Sequence, residues 1–378
     1  MYLSEEHRMI RTMAREFAEK EIKPQAAEND KNHRFPERLI QKIGDLGLMG
    51  VAIPEKYGGS GLDTLAYAVA VEEISRGCAG TAVVMSVNNS LFGEPLLKYG
   101  SEEQKQKYLK PVASGKKIAC FMLSEPQAGS DATNQQTKAV DKGEYYLLNG
   151  TKNFITNGPQ ADFGIVFAVT DKEAGSKGVS AFIVEKDFEG YRIGKSDEKM
   201  GITCSGTCQI HFDNCRVPKE NLLGERGGGL KVAFPTLDCG RIGIAAQAVG
   251  IAQAAMEASI GYAKERKAFG KAIGEYQAIQ WMLANMATKT EASRLLMYKA
   301  AYFKDQGQSF SLPAAQAKLF ASETAVQVAT DAIQIFGGYG YMKDYPVEKY
   351  FRDAKITQIY EGTSEIQRIV IARSLLKQ

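Results

Sequence analysis

Several shortages narrow the field before any motif is read. The net charge is only +3 over 378 residues, too small a surplus to argue for nucleic acid or an anionic membrane as partner. No run is long and apolar enough to span a bilayer. The first 23 residues are charged and amphipathic, with several Glu and no apolar stretch, unlike a secretory signal or an organellar transit peptide. A cytoplasmic protein without a membrane span is expected. The six cysteines, Cys78, Cys120, Cys204, Cys208, Cys215 and Cys239, are scattered, so a reducing compartment is expected rather than a disulfide framework. Cys204 and Cys208 form a lone C-x3-C with no second pair and no nearby His-x-x-x-His. That falls short of the four ligands of a tetrahedral zinc, so no metal site is expected, and the thiols should behave as small buried hydrophobes. There is no repeat of fixed period and no low-complexity segment.

What remains is ordinary for a large globular chain: 44% hydrophobic and 24% charged residues, enough for two or three domains. The first third reads as helix. Ser4 is an N-cap followed by Glu5 and Glu6, Ile10, Met13, Phe17 and Ala18 recur at helical spacing, and Pro24 marks an end. Further helices are expected over 36–47, 64–76, 81–99 and 102–113. The glycines of 53–61 lack a strand-turn-helix context and a Walker Lys-Ser/Thr, so this is a turn rather than a phosphate cradle. From Ile118 the pattern changes. Runs at 118–123, 163–169, 179–184 and 208–212 read as strands, and Asn149-Gly150 between two strand-like runs is the signal of a type I′ hairpin. No strand alternates with a helix, which argues against a parallel nucleotide-binding sheet. Past Gly227-Gly228-Gly229, long helices are expected over 241–266, 277–306, 313–335 and 364–376, an up-and-down bundle. Its faces carry enough Ala, Met and Tyr to imply a subunit interface. The fold class is mainly α with a central β domain: a helical domain over 1–117, an antiparallel β domain over 118–226 and a four-helix bundle over 227–378.

One stretch carries chemistry, Lys355-Ile356-Thr357-Gln358-Ile359-Tyr360-Glu361-Gly362-Thr363-Ser364-Glu365. A short β-branched run ends in one carboxylate and a glycine, and Thr363-Ser364 then caps an apolar-periodic helix. A carboxylate in an apolar approach is a candidate base, since burial raises its pKa, and Gly362 lets a ligand come close. Taken alone, the same residue could simply favour a helix N-terminus.

The order helices, β domain, four-helix bundle resembles the acyl-CoA dehydrogenases. Six motifs match that family in sequence: Leu123-Ser124-Glu125-Pro126-Gln127-Ala128-Gly129-Ser130-Asp131, Lys152-Asn153-Phe154-Ile155-Thr156-Asn157-Gly158, Leu237-Asp238-Cys239-Gly240-Arg241, Glu265-Arg266-Lys267-Ala268-Phe269-Gly270, Gln334-Ile335-Phe336-Gly337-Gly338-Tyr339-Gly340 and Ile359-Tyr360-Glu361-Gly362-Thr363-Ser364-Glu365. Met85 to Leu91 and Gly240 to Ala245 resemble the short-chain, butyryl-CoA branch. The resemblance implies oxidation of an acyl-CoA to the trans-2-enoyl-CoA in fatty-acid β-oxidation, with Glu361 abstracting the α-proton and flavin N5 taking the β-hydride. It also implies non-covalent FAD, an electron-transferring flavoprotein as acceptor and a homotetramer built as a dimer of dimers. Alternatives on the same fold are a branched or cyclic acyl substrate, an enoyl-CoA reductase and an oxidase.

Carried over residue by residue, the resemblance assigns FAD contacts to Phe121, Leu123, Ser124, Ser130, Phe154, Ile155 and Thr156. It assigns further contacts to Arg266, Phe269, Gln277, Gln334, Ile335, Gly337 and Gly338, partly from a neighbouring subunit, and to Thr363, Ser364 and Glu365. Substrate contacts fall to Ser130, Asp238, Arg241 and Gly362. Many relatives have Trp at the position of Phe154, and the only Trp here, Trp281, lies on the bundle. Some branches place the base at the position of Gly240, which has no carboxylate. Residues 86–95 should line the acyl end of the pocket. Glu94 is expected to face solvent; inside the pocket it would act on a polar or cyclic acyl group. The lack of Arg near Ala82 argues against a glutaryl substrate.

Overall fold

A computed structural model describes residues 3–377. Helix α1 (Glu5–Phe17) starts from a capping box in which Ser4 and His7 satisfy each other's ends. Pro24 does not stop the chain there. A π-turn at Ala18–Ile22 leads into α2 (Lys23–Lys31), and Pro24 falls in its first turn, where no N–H is needed. Helices α3 (Glu37–Asp45), α4 (Thr64–Gly77), α5 (Ala79–Ser86), α6 (Glu94–Tyr99), α7 (Glu102–Gln104) and α8 (Lys110–Ala113) follow. A second π-turn, Val87–Gly93, joins α5 to α6. Helix α4 is buried along its whole length, so it forms the floor on which later helices pack.

The strands are β1 (Ala119–Met122), β2 (Lys138–Asp141), β3 (Tyr145–Thr156), β4 (Phe163–Val169), β5 (Val179–Glu185), β6 (Tyr191–Ser196), β7 (Thr207–Pro218) and β8 (Leu222–Leu223). They lie in the order β6-β7-β3-β2-β4-β5-β8, with β1 on β4. Two expectations fail here. The sheet is mixed rather than purely antiparallel, because β1 runs parallel to β4 from Ala119 beside Phe163 to Met122 beside Val166, and β2 meets β4 in parallel at Lys138 and Val169. Asn149-Gly150 is not a hairpin: β3 runs straight through it, with a bulge between Leu148 and Gly150 against β7. The Asn149 side chain accepts from Asn214 N–H at 2.8 Å, and a Cβ on Gly150 would strike the Thr137 backbone at 2.7 Å. Close approach of β2, rather than a turn, is what needs glycine at that point.

The C-terminal half holds α9 (Gly229–Glu265), α10 (Gln277–Asp305), α11 (Ser311–Phe336), α12 (Val347–Ile356) and α13 (Ser364–Leu376), with a small ribbon of β9 (Lys267–Ala268) and β10 (Lys271–Ala272) after α9. Helix α9 starts twelve residues before the expected 241 and carries Pro235 inside it. Ile356 ends a helix rather than opening an extended run, so 357–361 is a turn. The largest core joins α4 and α5 to α9, α10 and α11 through many alanines, including Ala68, Ala245, Ala248, Ala317 and Ala325. Small side chains let these helices approach closely. Among the described residues no helix is long and apolar enough to cross a membrane.

Candidate active site

Glu361 sits on a backbone that few residues tolerate. Its φ is 53°, and Gly362 follows at 94°. A left-handed conformation at a non-glycine residue costs about 1–3 kcal/mol and persists only where the surroundings impose it. Those surroundings are visible. Lys318 Nζ donates to Gly362 O at 2.7 Å, and Gln367 Nε2 donates to Gly362 O at 2.8 Å and to Glu361 O at 3.3 Å. Ser364 N–H donates to Gln358 O at 3.0 Å, and the Thr363 side chain caps α13 by accepting from Ile366 N–H. Tyr360 ties the turn to α9 through a hydrogen bond to the Gln247 side chain. The N–H groups of Glu361, Gly362 and Thr363 donate to no acceptor among the described residues.

The Glu361 side chain runs inward. The residue is half-buried, but Oε2 is out of solvent and has no hydrogen-bond partner among the described residues. It lies against Gly240 of α9, where a Cβ would overlap Oε2 and come within 2.9 Å of the Leu91 side chain. Burial pushes the carboxyl up to about 7, against the pull of Lys318 and Arg241. Lys318 is wholly buried, and burial brings its ammonium down to about 7, opposed by Glu361. Arg241 is buried and paired with Asp238, and its Nε has no partner among the described residues. Ser311 Oγ donates to the same Asp238 at 3.1 Å. Asp238 and Arg241, expected at the substrate, thus stand together within one turn of Gly240.

Beyond Gly240 the wall of this space is polar. Tyr67 Oη and Ser86 Oγ are 2.8 Å apart, and both crowd Gly243 on the same helix face. Leu91 and Ser86, both within the 86–95 stretch, accordingly belong to this wall. Glu94 does not face solvent freely: it pairs with Lys304 at 3.1 Å, with both side chains largely buried. With Tyr67, Ser90 and Cys239, this pair lines a cavity of about 20 Å³, room for a single water.

The expected cofactor residues fall into two groups. In the first, Asn153 N–H donates to Ser124 O at 2.9 Å, joining the 123–125 segment to β3. Beneath them lies a dry ion pair, Lys152 to Glu125 at 2.7 Å, with Lys152 also donating to Leu123 O at 3.3 Å. Burial lowers the Lys152 ammonium to about 8, opposed by Glu125. Phe154 presents its ring to solvent, 69% exposed, on a left-handed φ of 58°. Ile155 points instead into the β core at 2% exposure, leaving only its backbone for a ligand. Phe121 packs between the helical and β cores, Leu123 is buried, Ser124 and Thr156 are half-buried, and Ser130 is exposed. Thr363 is the cap, the buried Ser364 Oγ has no partner among the described residues, and Glu365 is exposed.

The second group lines a cleft of about 490 Å³ at the far end of α9, where Arg266 meets Ile335, Gly337 and Gly338. Its guanidinium lies 5.4 Å from the Tyr339 ring centroid. Gln277 and Gln334 are exposed nearby in sequence, and Phe269 is 97% exposed. Gly240 and Arg266 are 26 residues apart on one helix axis, roughly 39 Å at the usual rise. Glu361, which lies against Gly240, and the Arg266 cleft are therefore far apart within one chain. Cys204 faces Cys78 at 3.7 Å rather than Cys208, which is buried in the sheet core.

Sequence reading missed Lys318, Gln367, Tyr67 and Lys152. Lys318 did leave a trace: it occupies a core position among Ala314, Ala317, Ala321 and Ala325, where helical spacing asks for a small apolar residue.

Comparison with known proteins covers nearly all of this architecture. The sequence matches the models for the acyl-CoA dehydrogenase N-terminal domain over 4–116, the middle domain over 120–215 and the C-terminal domain over 227–376. It is 50% identical over 375 residues to a short-chain specific acyl-CoA dehydrogenase of Clostridium acetobutylicum, covering 99% of each chain. The butyryl-CoA dehydrogenase of Megasphaera elsdenii superposes with a TM-score of 0.98 at 46% identity, over 100% of this chain and 99% of the other. A chain solved in work on the electron transferring flavoprotein of Acidaminococcus fermentans gives 0.99 at 54% identity, over 100% of both chains.

Proposed function

The chain belongs to the acyl-CoA dehydrogenase family, and from that premise we propose that it oxidises a short-chain acyl-CoA to the trans-2-enoyl-CoA, with Glu361 removing the α-proton. One observation carries the reading: Oε2 of Glu361 is out of solvent and unpartnered beside a turn whose N–H groups donate to no acceptor among the described residues. An α-proton of a thioester is too weakly acidic for a carboxylate in water. It becomes reachable when the thioester oxygen is held by donors that strengthen as enolate charge develops. The free Glu361 N–H is such a donor, next to the base itself. Burial that lifts the carboxyl to about 7 makes it a stronger base while leaving about half of it ionised at neutral pH. Gly240 and Gly362 keep side chains out of the approach, and we assign the thioester's CoA arm to Asp238 and Arg241.

FAD, the cofactor of this family, fits the remaining residues. The exposed Phe154 ring, the backbone of 123–124 and 155–156 and the orphaned Ser364 hydroxyl suit an isoalloxazine and its ribityl chain. Arg266 in the cleft suits a diphosphate. When bound, FAD supplies the acceptor for the β-hydride. The span of α9 from Gly240 to Arg266 exceeds one dinucleotide, which supports assigning the Arg266 cleft that completes a site to a second copy. Exposed Phe269, Trp281, Tyr341 and Leu376 supply apolar surface for the proposed homotetramer. An electron-transferring flavoprotein is the proposed electron acceptor, in keeping with the similarity to the Acidaminococcus chain.

The test is anaerobic titration of the FAD-loaded protein with butyryl-CoA, beside Glu361→Gln. Bleaching of the flavin in the parent and none in the variant is the expected result. Bleaching of both would remove Glu361 as the base, and bleaching of neither would remove butyryl-CoA as substrate.

A further inference from the structure

Lys318 is spent on a place where a methionine would fit. It has no exposure, it projects from α11 amid buried alanines, and no carboxylate lies within ion-pair distance among the described residues. Its one hydrogen-bond acceptor among them is the carbonyl of Gly362. A buried cation without a paired anion is costly, and an apolar residue of similar volume generally serves stability better. The site therefore uses the ammonium for something other than packing. We infer that Lys318 is a positioning residue for the proposed dehydrogenation: seated on the Gly362 carbonyl, it locks the left-handed turn that aims the Glu361 carboxylate and N–H at one point, and it provides the charge that answers the ionised carboxylate.

Three features of the geometry support this. Glu361 and Gly362 are both in the left-handed region, and the carbonyls of this pair receive three donations, one from α11 and two from Gln367 of α13. Turning the carbonyls toward those donors leaves the N–H groups of the same turn free to face the pocket. The charge balance also singles out Lys318. Arg241 of α9 faces Glu361 too, but Asp238 already neutralises it. Tyr67 of α4 and Tyr360 of the turn are neutral phenols with pKa values raised by burial. Glu365 of α13 is exposed and screened by water. Lys318, whose ammonium burial brings down to the same range of about 7 as the Glu361 carboxyl, is the cation whose charge only Glu361 answers from inside. It is called positioning rather than catalytic because it acts through Gly362 and through Glu361.

The inference rests on Glu361 being the base, and its test keeps the two apart. The FAD-loaded parent, Lys318→Met and Lys318→Gln would be compared for kcat and kcat/KM against pH with butyryl-CoA, for crotonyl-CoA affinity by the flavin spectrum, and for FAD content. Met removes both the donor and the charge; Gln keeps a neutral donor. In Lys318→Met, kcat should fall about 100-fold, the scale of a misplaced reacting group, while crotonyl-CoA affinity and FAD content change little. The acid limb of kcat/KM should move up by about one pH unit, because losing a nearby cation makes the carboxyl harder to ionise. Lys318→Gln should keep the displaced limb and recover part of kcat on the alkaline side. An unmoved limb in both variants overturns the inference, as does an equal loss of kcat, crotonyl-CoA affinity and FAD, which is what a packing role alone would give. Should Lys318→Met fail to fold, the limb of Lys318→Gln decides. A parent that butyryl-CoA does not reduce would instead overturn the reaction proposed above.

Discussion

Gly240 and Glu361 compete for the same space: any β-carbon at 240 would overlap the Glu361 carboxylate oxygen. One residue comes from the middle of α9 and the other from the turn before α13, yet only one side chain fits between them. In physical terms, one carboxylate could be supplied to this point from either position. A carboxylate on the helix would reach the same point from the other side, and only with a smaller residue at 361.

Gly240→Ala should therefore displace the base without touching the fold. Residue 240 lies mid-helix, where Ala is favoured over Gly, so thermal stability should hold or rise. The butyryl-CoA rate should drop about tenfold or more through misalignment, measured by flavin reduction in a stopped-flow instrument. An unchanged rate would mean that the carboxylate turns elsewhere when substrate binds.

Glu361→Gln preserves shape and removes the base. Loss of a positioned proton acceptor should cost about 10²–10⁴ in the rate of flavin reduction. Crotonyl-CoA, which needs no proton removed, should bind with an affinity close to the parent's. Its affinity is read from the spectral shift on titration.

The pH dependence has a defined sign. Burial raises the Glu361 carboxyl to about 7, and only the ionised form accepts a proton. The kcat/KM profile, which reports groups of the free enzyme, should rise as pH increases through about 7 rather than through the 4–5 of an ordinary Glu. Initial rates between pH 5.5 and 9 would show it. A plateau already reached at pH 5.5 would be inconsistent with a carboxyl raised by burial.

Stability should depend strongly on the ion pair beneath the proposed flavin contacts. Lys152 and Glu125 are 0% and 2% exposed and 2.7 Å apart. Lys152→Met leaves a buried carboxylate without its cation, a change that typically costs roughly 3–5 kcal/mol. Urea unfolding should show that loss, and FAD should be held less well, because the same Lys152 grips the Leu123 carbonyl.

The order of helices, strands and helices was legible because it rests on periodicity, which many residues report together. The misreadings were at single residues whose local preference yielded to packing. Pro24 was harmless in the first turn of a new helix, and Asn149-Gly150 served as a bulge against Thr137. The parallel pairing of β1 and β4 had no sequence signal at all, since the partners lie over forty residues apart. The site divided along the same line. Glu361 with its flanking motif could be read in advance. Lys318, Gln367 and the Glu94–Lys304 pair could not, because a single sequence does not say whether a charged residue lies on a surface or in a core.

The length of α9 has one more consequence. If each completed site takes Glu361 from one copy and Arg266 from another, two different broken chains can repair each other. A mixture of Glu361→Gln and Arg266→Ala subunits would contain sites with both defects and sites with neither. Activity regained on mixing two inactive proteins would then count the assemblies that had exchanged partners, making genetic complementation a ruler for the helix.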